Sequence, residues 1–198
     1  MARAPQEHVT RLIHLSISPT FQVRTARDED IPSLRALIAR SIRELGAGDY
    51  RPEQIEGALR GAFGVDTQLI RDGTYFVVEA RTEIVACGGW SKRRTLFGSD
   101  ARGERDASEL DPMQDAAKIR AFFVAPEFAR RGIGRLLLDT CEAAARRHRF
   151  CKFELMATLP GVRLYEACGY VAGERIEYPL DASLSITFVP MTKVDHCQ

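Results

Sequence analysis

Three arginines and two glycines stand together in Arg130-Arg131-Gly132-Ile133-Gly134-Arg135. Residues of these types at this spacing can hold a phosphate. Glycine lets an anion approach the backbone with no Cβ in the way. A helix that starts at Gly132 leaves its first N–H groups without partners, at the positive end of its dipole. The arginines add formal charge beside them. Upstream, Ile119 to Val124 is apolar enough for a strand, and Pro126 ends it because proline has no N–H for a ladder. Strand, basic loop and helix start over residues 119–138 therefore predict a pyrophosphate site. Gly-x-Gly alone is a weak signal. The third glycine of the dinucleotide fingerprint is missing at its spacing, and so is the Gly-Lys-Ser/Thr of a P-loop. An ordinary tight strand-to-helix turn stays open as the alternative.

Val124-x-Pro126 followed by Arg131-Gly132-Ile133-Gly134 and a Leu-rich helix resembles the acetyl-CoA signature of the GCN5-related N-acetyltransferase (GNAT) family. Some thirty residues on, Leu164-Tyr165-Glu166-Ala167-Cys168-Gly169-Tyr170 resembles that family's second hallmark. Two motifs in order and at this distance are more specific than either alone. The resemblance extends loosely over residues 21–195 and is strongest over 119–171.

The resemblance implies an α/β GNAT fold: a mixed, mostly antiparallel, six- to seven-stranded twisted sheet with helices on both faces, splayed between its fourth and fifth strands. It implies acetyl-CoA as co-substrate, no metal, and transfer of acetyl to a primary amine by direct attack. Main chain at Phe122, Phe123 and Val124 would hold the pantetheine arm like an added strand, and an N–H near Phe123 would polarise the thioester carbonyl. The pyrophosphate would rest on Ala129, Arg130, Arg131, Gly132, Ile133 and Gly134, with Arg135 near and Thr158 on the loop after the fifth strand. Tyr165 matches the general-acid position. An ordinary phenol titrates near pH 10, so it keeps its proton at neutral pH and can donate to a thiolate; the bland alternative is that Tyr165 only packs on the cofactor arm. The base that must take the amine proton is not visible. Glu79 and Glu154 are candidates, and a water chain is another. Two departures stand out: Ala129 replaces the usual Arg or Gln, and residues 158–161 lack the Asn of many relatives.

These groups need elements to position them. Phe21 to Arg24 alternates as a first strand. Asp30 and Pro32 open a helix with Ile31, Leu34, Leu37, Ile38, Ser41, Ile42 and Leu45 along one stripe, closed by Gly46 and Gly48. Residues 52–62 form a weaker helix, and the resemblance places both helices over an acceptor groove. Strands follow at 74–80 and 84–90. Gly88 and Gly89 within a strand signal a bulge or a close backbone approach. Trp90 is a core residue or an acceptor-pocket wall. Residues 91–116 read as a long irregular loop that either borders the acceptor site or is a surface insertion. The helix from Gly132 to Arg149 packs Ile133, Leu136, Leu137, Cys141, Ala144 and Ala145 on the sheet, and Arg146, Arg147 and Arg149 complement the dipole at its end. Strands at 150–156, from Tyr170, and at 184–193 surround a short helix over 162–168. Residues 1–20 read as a flexible arm or a short strand at Leu12–Ile17, and 21–198 as a single N-acetyltransferase domain.

Composition sets outer bounds. The chain has 198 residues, 45% of them hydrophobic, enough for one α/β domain with a real core. With 28 basic and 27 acidic residues the net charge is +1, which argues against nucleic acid and an anionic membrane as partners. No apolar run spans a bilayer, and Met1 to Thr20 lacks a signal-peptide core. Five cysteines without metal-ligand spacing suit a reducing, cytoplasmic setting. A small-molecule or peptide amine is the expected acceptor, and a homodimer is compatible with the sequence. Two other functions compete: a non-catalytic acyl-CoA-binding domain, and a nucleotide-dependent oxidoreductase, disfavoured by the absent glycine and the lack of repeated βαβ units.

Overall fold

The computed structural model describes residues 20–96, 99–100 and 106–195. All but one residue of the expected arm, including the strand considered at Leu12–Ile17, lies outside them. Eight strands form one sheet: β1 (Phe21–Thr25), β2 (Tyr75–Ala80), β3 (Glu83–Ser91), β4 (Ala117–Val124), β5 (Lys152–Thr158), β6 (Val171–Ala172), β7 (Ile176–Pro179) and β8 (Ser185–Val194). The order is β1-β2-β3-β4-β5-β8-β6, with β7 also on β8. Every pairing is antiparallel except β4 with β5. The eighth strand arises because the stretch before β8 folds back as the β7 hairpin, whose exposed, poorly alternating Ile176–Pro179 gave little sequence signal.

The helices follow the apolar stripes. In α1 (Ile31–Leu45), Leu34, Leu37, Ile38, Ser41 and Ile42 are buried, as the spacing requires. Asp30 precedes it but does not cap it with its side chain. Its carboxylate instead accepts the Arg27 N–H at 2.8 Å and pairs with Arg24 at 2.7 Å. The short helices α2 (Pro52–Leu59) and α3 (Thr67–Arg71) come next, α3 being unforeseen because five residues carry no period. In α4 (Ile133–Arg147) the buried face is Ile133, Leu137, Leu138, Cys141, Ala144 and Ala145. Leu136, expected on that face, is 37% exposed. Arg146 pairs with Glu142 of its own helix and Asp195, so the basic cluster is a solvated helix end. The last helix is α5 (Val162–Glu166).

The core falls into two clusters. One gathers α1, β2, β3 and the start of α4; the other gathers the rest of α4 with β5, β8 and Trp90. Trp90 is 1% exposed against Phe150 and His148 and is a core residue. Residues 92–95 and 106–110 run antiparallel, with Leu110 N–H to the Lys92 carbonyl at 2.8 Å and Arg94 N–H to that of Ser108 at 3.1 Å. Within the expected irregular loop, residues 92–95 and 106–110 thus form a ragged antiparallel pair extending β3.

Candidate active site

The site begins with a fault in β4. Ala86 faces Val124 and Cys87 faces Phe123, but Gly89 faces Arg120. Two residues, Ala121 and Phe122, therefore stand opposite Gly88 alone. This is a bulge, and Ala121 takes a left-handed φ of 56° within it. The Tyr75 hydroxyl donates to the Ala121 carbonyl at 3.2 Å and helps hold that conformation. Gly88 is required across the bulge, since a Cβ there would lie 2.5 Å from the Phe122 ring. The glycine signal in β3 therefore marked a bulge in its neighbour.

The second fault is a split. The parallel pairing of β4 and β5 covers only Ala117–Ile119 against Phe153–Leu155. β5 continues along β8 as far as Thr158, and β4 continues along β3, so the two halves of the sheet part. From Arg120 to Val124 the β5-facing edge of β4 has no strand partner among the described residues. Such an edge presents main-chain donors and acceptors to an extended ligand, as in strand addition.

A cleft of ≈ 480 Å³ opens there. Ten of the eleven residues expected around a cofactor line it: Phe122, Phe123, Val124, Ala129, Arg130, Gly132, Ile133, Gly134, Arg135 and Thr158. Arg131 does not; its guanidinium lies over the Phe128 ring at 5.3 Å. Arg130 (φ 62°) and Gly132 (φ 81°) are both left-handed, and Gly132 is the N-cap of α4. Left-handed residues in such a turn can aim neighbouring N–H groups at an anion, and a helix start offers unused donors. A Cβ on Gly132 would meet nothing, so that space belongs to the cleft; one on Gly134 would lie 2.9 Å from Leu164. Arg135 donates to the Ala167 carbonyl at 2.7 Å and ties α4 to the end of α5. A pyrophosphate carrier fits these donors and this charge.

Sequence reasoning missed Tyr50 and Arg163, which also line the cleft. The Tyr50 hydroxyl donates to the Thr187 carbonyl at 2.9 Å and accepts the Leu159 N–H at 2.8 Å, fastening the link after α1 to the open end of β5. Burial pushes its phenol up to about 12. Nothing local to Tyr50 announces that reach across 109 residues. Arg163 had a signal: a cation two residues before the second motif's Tyr165.

A smaller cavity of ≈ 70 Å³ lies beyond the split, walled by Phe63, Arg120, Met156, Phe188 and neighbours. Five residues line both spaces: Phe63, Phe122, Phe123, Thr158 and Tyr165. Tyr165 is 7% exposed, edge-on to Phe122 with centroids 6.3 Å apart. Burial drives its phenol well above the ordinary tyrosine range, with nearby Cys141 and Cys168 adding to the effect. Arg120 makes an ion pair of 2.6 Å with Asp66, both side chains almost wholly buried.

The two carboxylates considered as bases stand elsewhere. Glu79 pairs with Arg24 at 2.7 Å on the outer half of the sheet, and Glu154 pairs with Lys118 where β4 and β5 still touch. Neither lines a cavity, and among the described residues lining either one there is no Asp, Glu or His. Pattern alone could not exclude them, because an alternating strand does not say which exposed end a cleft will reach. Among the described residues no group of three or more His, Cys, Asp or Glu could hold a metal, and no helix is long and apolar enough to cross a membrane.

The split between β4 and β5 and the cleft beside it define a class: an α/β domain whose single mixed sheet opens along one strand edge. The chain belongs to the acetyltransferase (GNAT) family, whose model matches residues 40–170. No curated protein matches the sequence. Among solved structures it is similar to a GCN5-related N-acetyltransferase from Rhodopseudomonas palustris, at 20% identity and a TM-score of 0.65, over 88% of this chain and 96% of that one. The PaiA N-acetyltransferase from Thermoplasma acidophilum, solved with coenzyme A, is 16% identical with a TM-score of 0.61, over 88% and 99% of the chains. A ribosomal-protein-alanine N-acetyltransferase from Brucella melitensis is 17% identical with a TM-score of 0.59, over 87% and 99%. At these identities the likeness establishes the fold.

Proposed function

We propose that the protein is an acetyl-CoA-dependent N-acetyltransferase in which a primary amine attacks the thioester directly. The observation that carries this reading is the position of Tyr165, which faces both the cleft and the smaller cavity beside the free edge of β4. Acetyl-CoA, when bound, supplies an acyl group activated by a thiolate leaving group.

The chain's own groups do the rest. The β4 edge at Phe122–Val124 aligns the carrier arm through main-chain hydrogen bonds, and an N–H there faces the carbonyl oxygen as it gains charge. The turn at Ala129–Gly134 and the start of α4 take the pyrophosphate, with Arg130, Arg135 and Arg163 at the rim. Tyr165 holds a proton for the departing sulfur, and its raised pKa keeps that proton in place well above neutrality. With no carboxylate or histidine among the described lining residues, the amine proton leaves through water.

A pH dependence follows. Amines near pKa 10 are reactive only as the free base, so kcat/KM rises with pH toward that value. Tyr165 ionises above its usual range, so no falling limb appears below about pH 9. A bell with its fall near neutrality would remove Tyr165 as the acid. The missing lining base is also what favours the second reading, a non-catalytic acyl-CoA-binding domain. Thiol release from acetyl-CoA over a panel of amines separates the two: binding by calorimetry without thiol release identifies the binding domain.

A further inference from the structure

The smaller cavity constrains the acceptor, an argument that rests on the transferase reading above. Its volume is ≈ 70 Å³. On this scale each water-sized group needs about 10–15 Å³, so roughly five to seven non-hydrogen atoms fit. Its lining is polar and apolar in equal measure. The Phe63 ring stands edge-on to Phe123 and Phe188, at 6.2 and 5.8 Å between centroids, and Met156 closes one side. The one charged lining residue, Arg120, already pairs with Asp66.

The wall formed by residues 62–64 is pinned from behind. The Ser99 N–H and hydroxyl both donate to the Gly61 carbonyl, at 3.1 and 2.8 Å, and the Asp100 N–H donates to that of Val65 at 3.1 Å. The Thr67 N–H and hydroxyl donate to the Asp100 carboxylate at 3.0 and 3.1 Å. Gly64 has no room for a Cβ, which would lie 2.7 Å from that of Ser99. Ser99 and Asp100 thus strap the segment that faces the acceptor, and the Asp66–Arg120 pair ties the same segment to β4. A polypeptide needs about 3.3 Å of groove for each further residue, and a cavity of ≈ 70 Å³ with a pinned wall has little room beyond the first.

We infer that the acceptor is a small primary amine with a short body, and that the strap at Ser99 and Asp100 keeps the cavity too small for protein N-termini. The reaction balances as one C–N bond formed and one C–S bond broken, with one proton passed from the amine to solvent, one from Tyr165 to the thiolate, and one returned from solvent to the Tyr165 phenolate.

The test measures thiol release from acetyl-CoA with linear amines from propylamine to decylamine, phenethylamine, and peptides beginning with alanine, serine or methionine. The expected result is an optimum near four to seven carbons, with peptides more than tenfold poorer in kcat/KM, since one methylene of misfit is worth about tenfold. Met156→Ala, which empties part of the wall, moves the optimum to longer amines. Asp100→Ala, which loosens the strap from outside the cavity, raises KM for short amines with kcat kept and narrows the gap to peptides. Peptides matching the best amine overturn the inference and leave the transferase intact. Silence toward every amine, with acetyl-CoA binding seen by calorimetry, overturns both.

Discussion

The cleft and the cavity that meet at Tyr165 are built from different material. The cleft takes its binding groups largely from main chain that is continuous in sequence, residues 122–135, set by a bulge, two left-handed residues and a helix start. The cavity takes its walls from side chains brought together from residues 62–64, 120, 156 and 188. Backbone donors survive most substitutions, because every residue but proline carries an N–H. Side-chain walls change with each replacement. Under the proposed function, a fold built this way would keep one acyl donor while its acceptor is free to vary.

The largest expected break in that contrast is on the cavity side. Asp66→Ala breaks the buried ion pair with Arg120 and should cost about 3–5 kcal/mol of stability, read by denaturant unfolding. Near-wild-type stability would mean that the pair does not hold the cavity wall. At the junction, Tyr165→Phe should lower kcat by about 100-fold or more, with acetyl-CoA affinity nearly kept in calorimetry. An untouched rate removes the proton-donor role.

The cleft should be sensitive where backbone shape, not side-chain identity, matters. Gly132→Val forces a β-branched residue to φ 81°. That conformation costs about 1–2 kcal/mol, and the coenzyme A Kd should weaken by on the order of tenfold. Arg131→Ala nearby should change that Kd little, because its guanidinium stacks on Phe128. Equal losses at both positions would mean that side chains, not amides, do the holding. The smallest effect is expected at Glu79→Gln. Its half-exposed ion pair with Arg24 is worth at most about 1 kcal/mol, and the pH profile of turnover should not move. A lost basic limb would restore Glu79 as the base.

The same contrast explains what could be read from the chain. Apolar periodicity marked α1, α4 and the long strands, because burial on one face imposes a period. The turn before α4 that lines the cleft was legible because its glycines, arginines and helix start are neighbours in sequence. The bulge was half legible: Gly88 flagged it, but only the β3–β4 register shows that Ala121 and Phe122 carry it. Tyr50, the Asp66–Arg120 pair and the strap at Ser99–Asp100 had no such signal. Each acts through a partner 33 or more residues away, and α3 and β7 are too short to show a period.

By itself the sequence determined the longer elements, the glycine-bearing turn before α4 and the phenol, all properties of short stretches whose residue types fix local backbone and charge. Tertiary structure decided the rest: where the sheet parts, which carboxylates stay out of reach, and how much room is left for an amine. Those outcomes depend on how strands far apart in the chain pair and stop pairing, and the pattern within any one strand does not contain that.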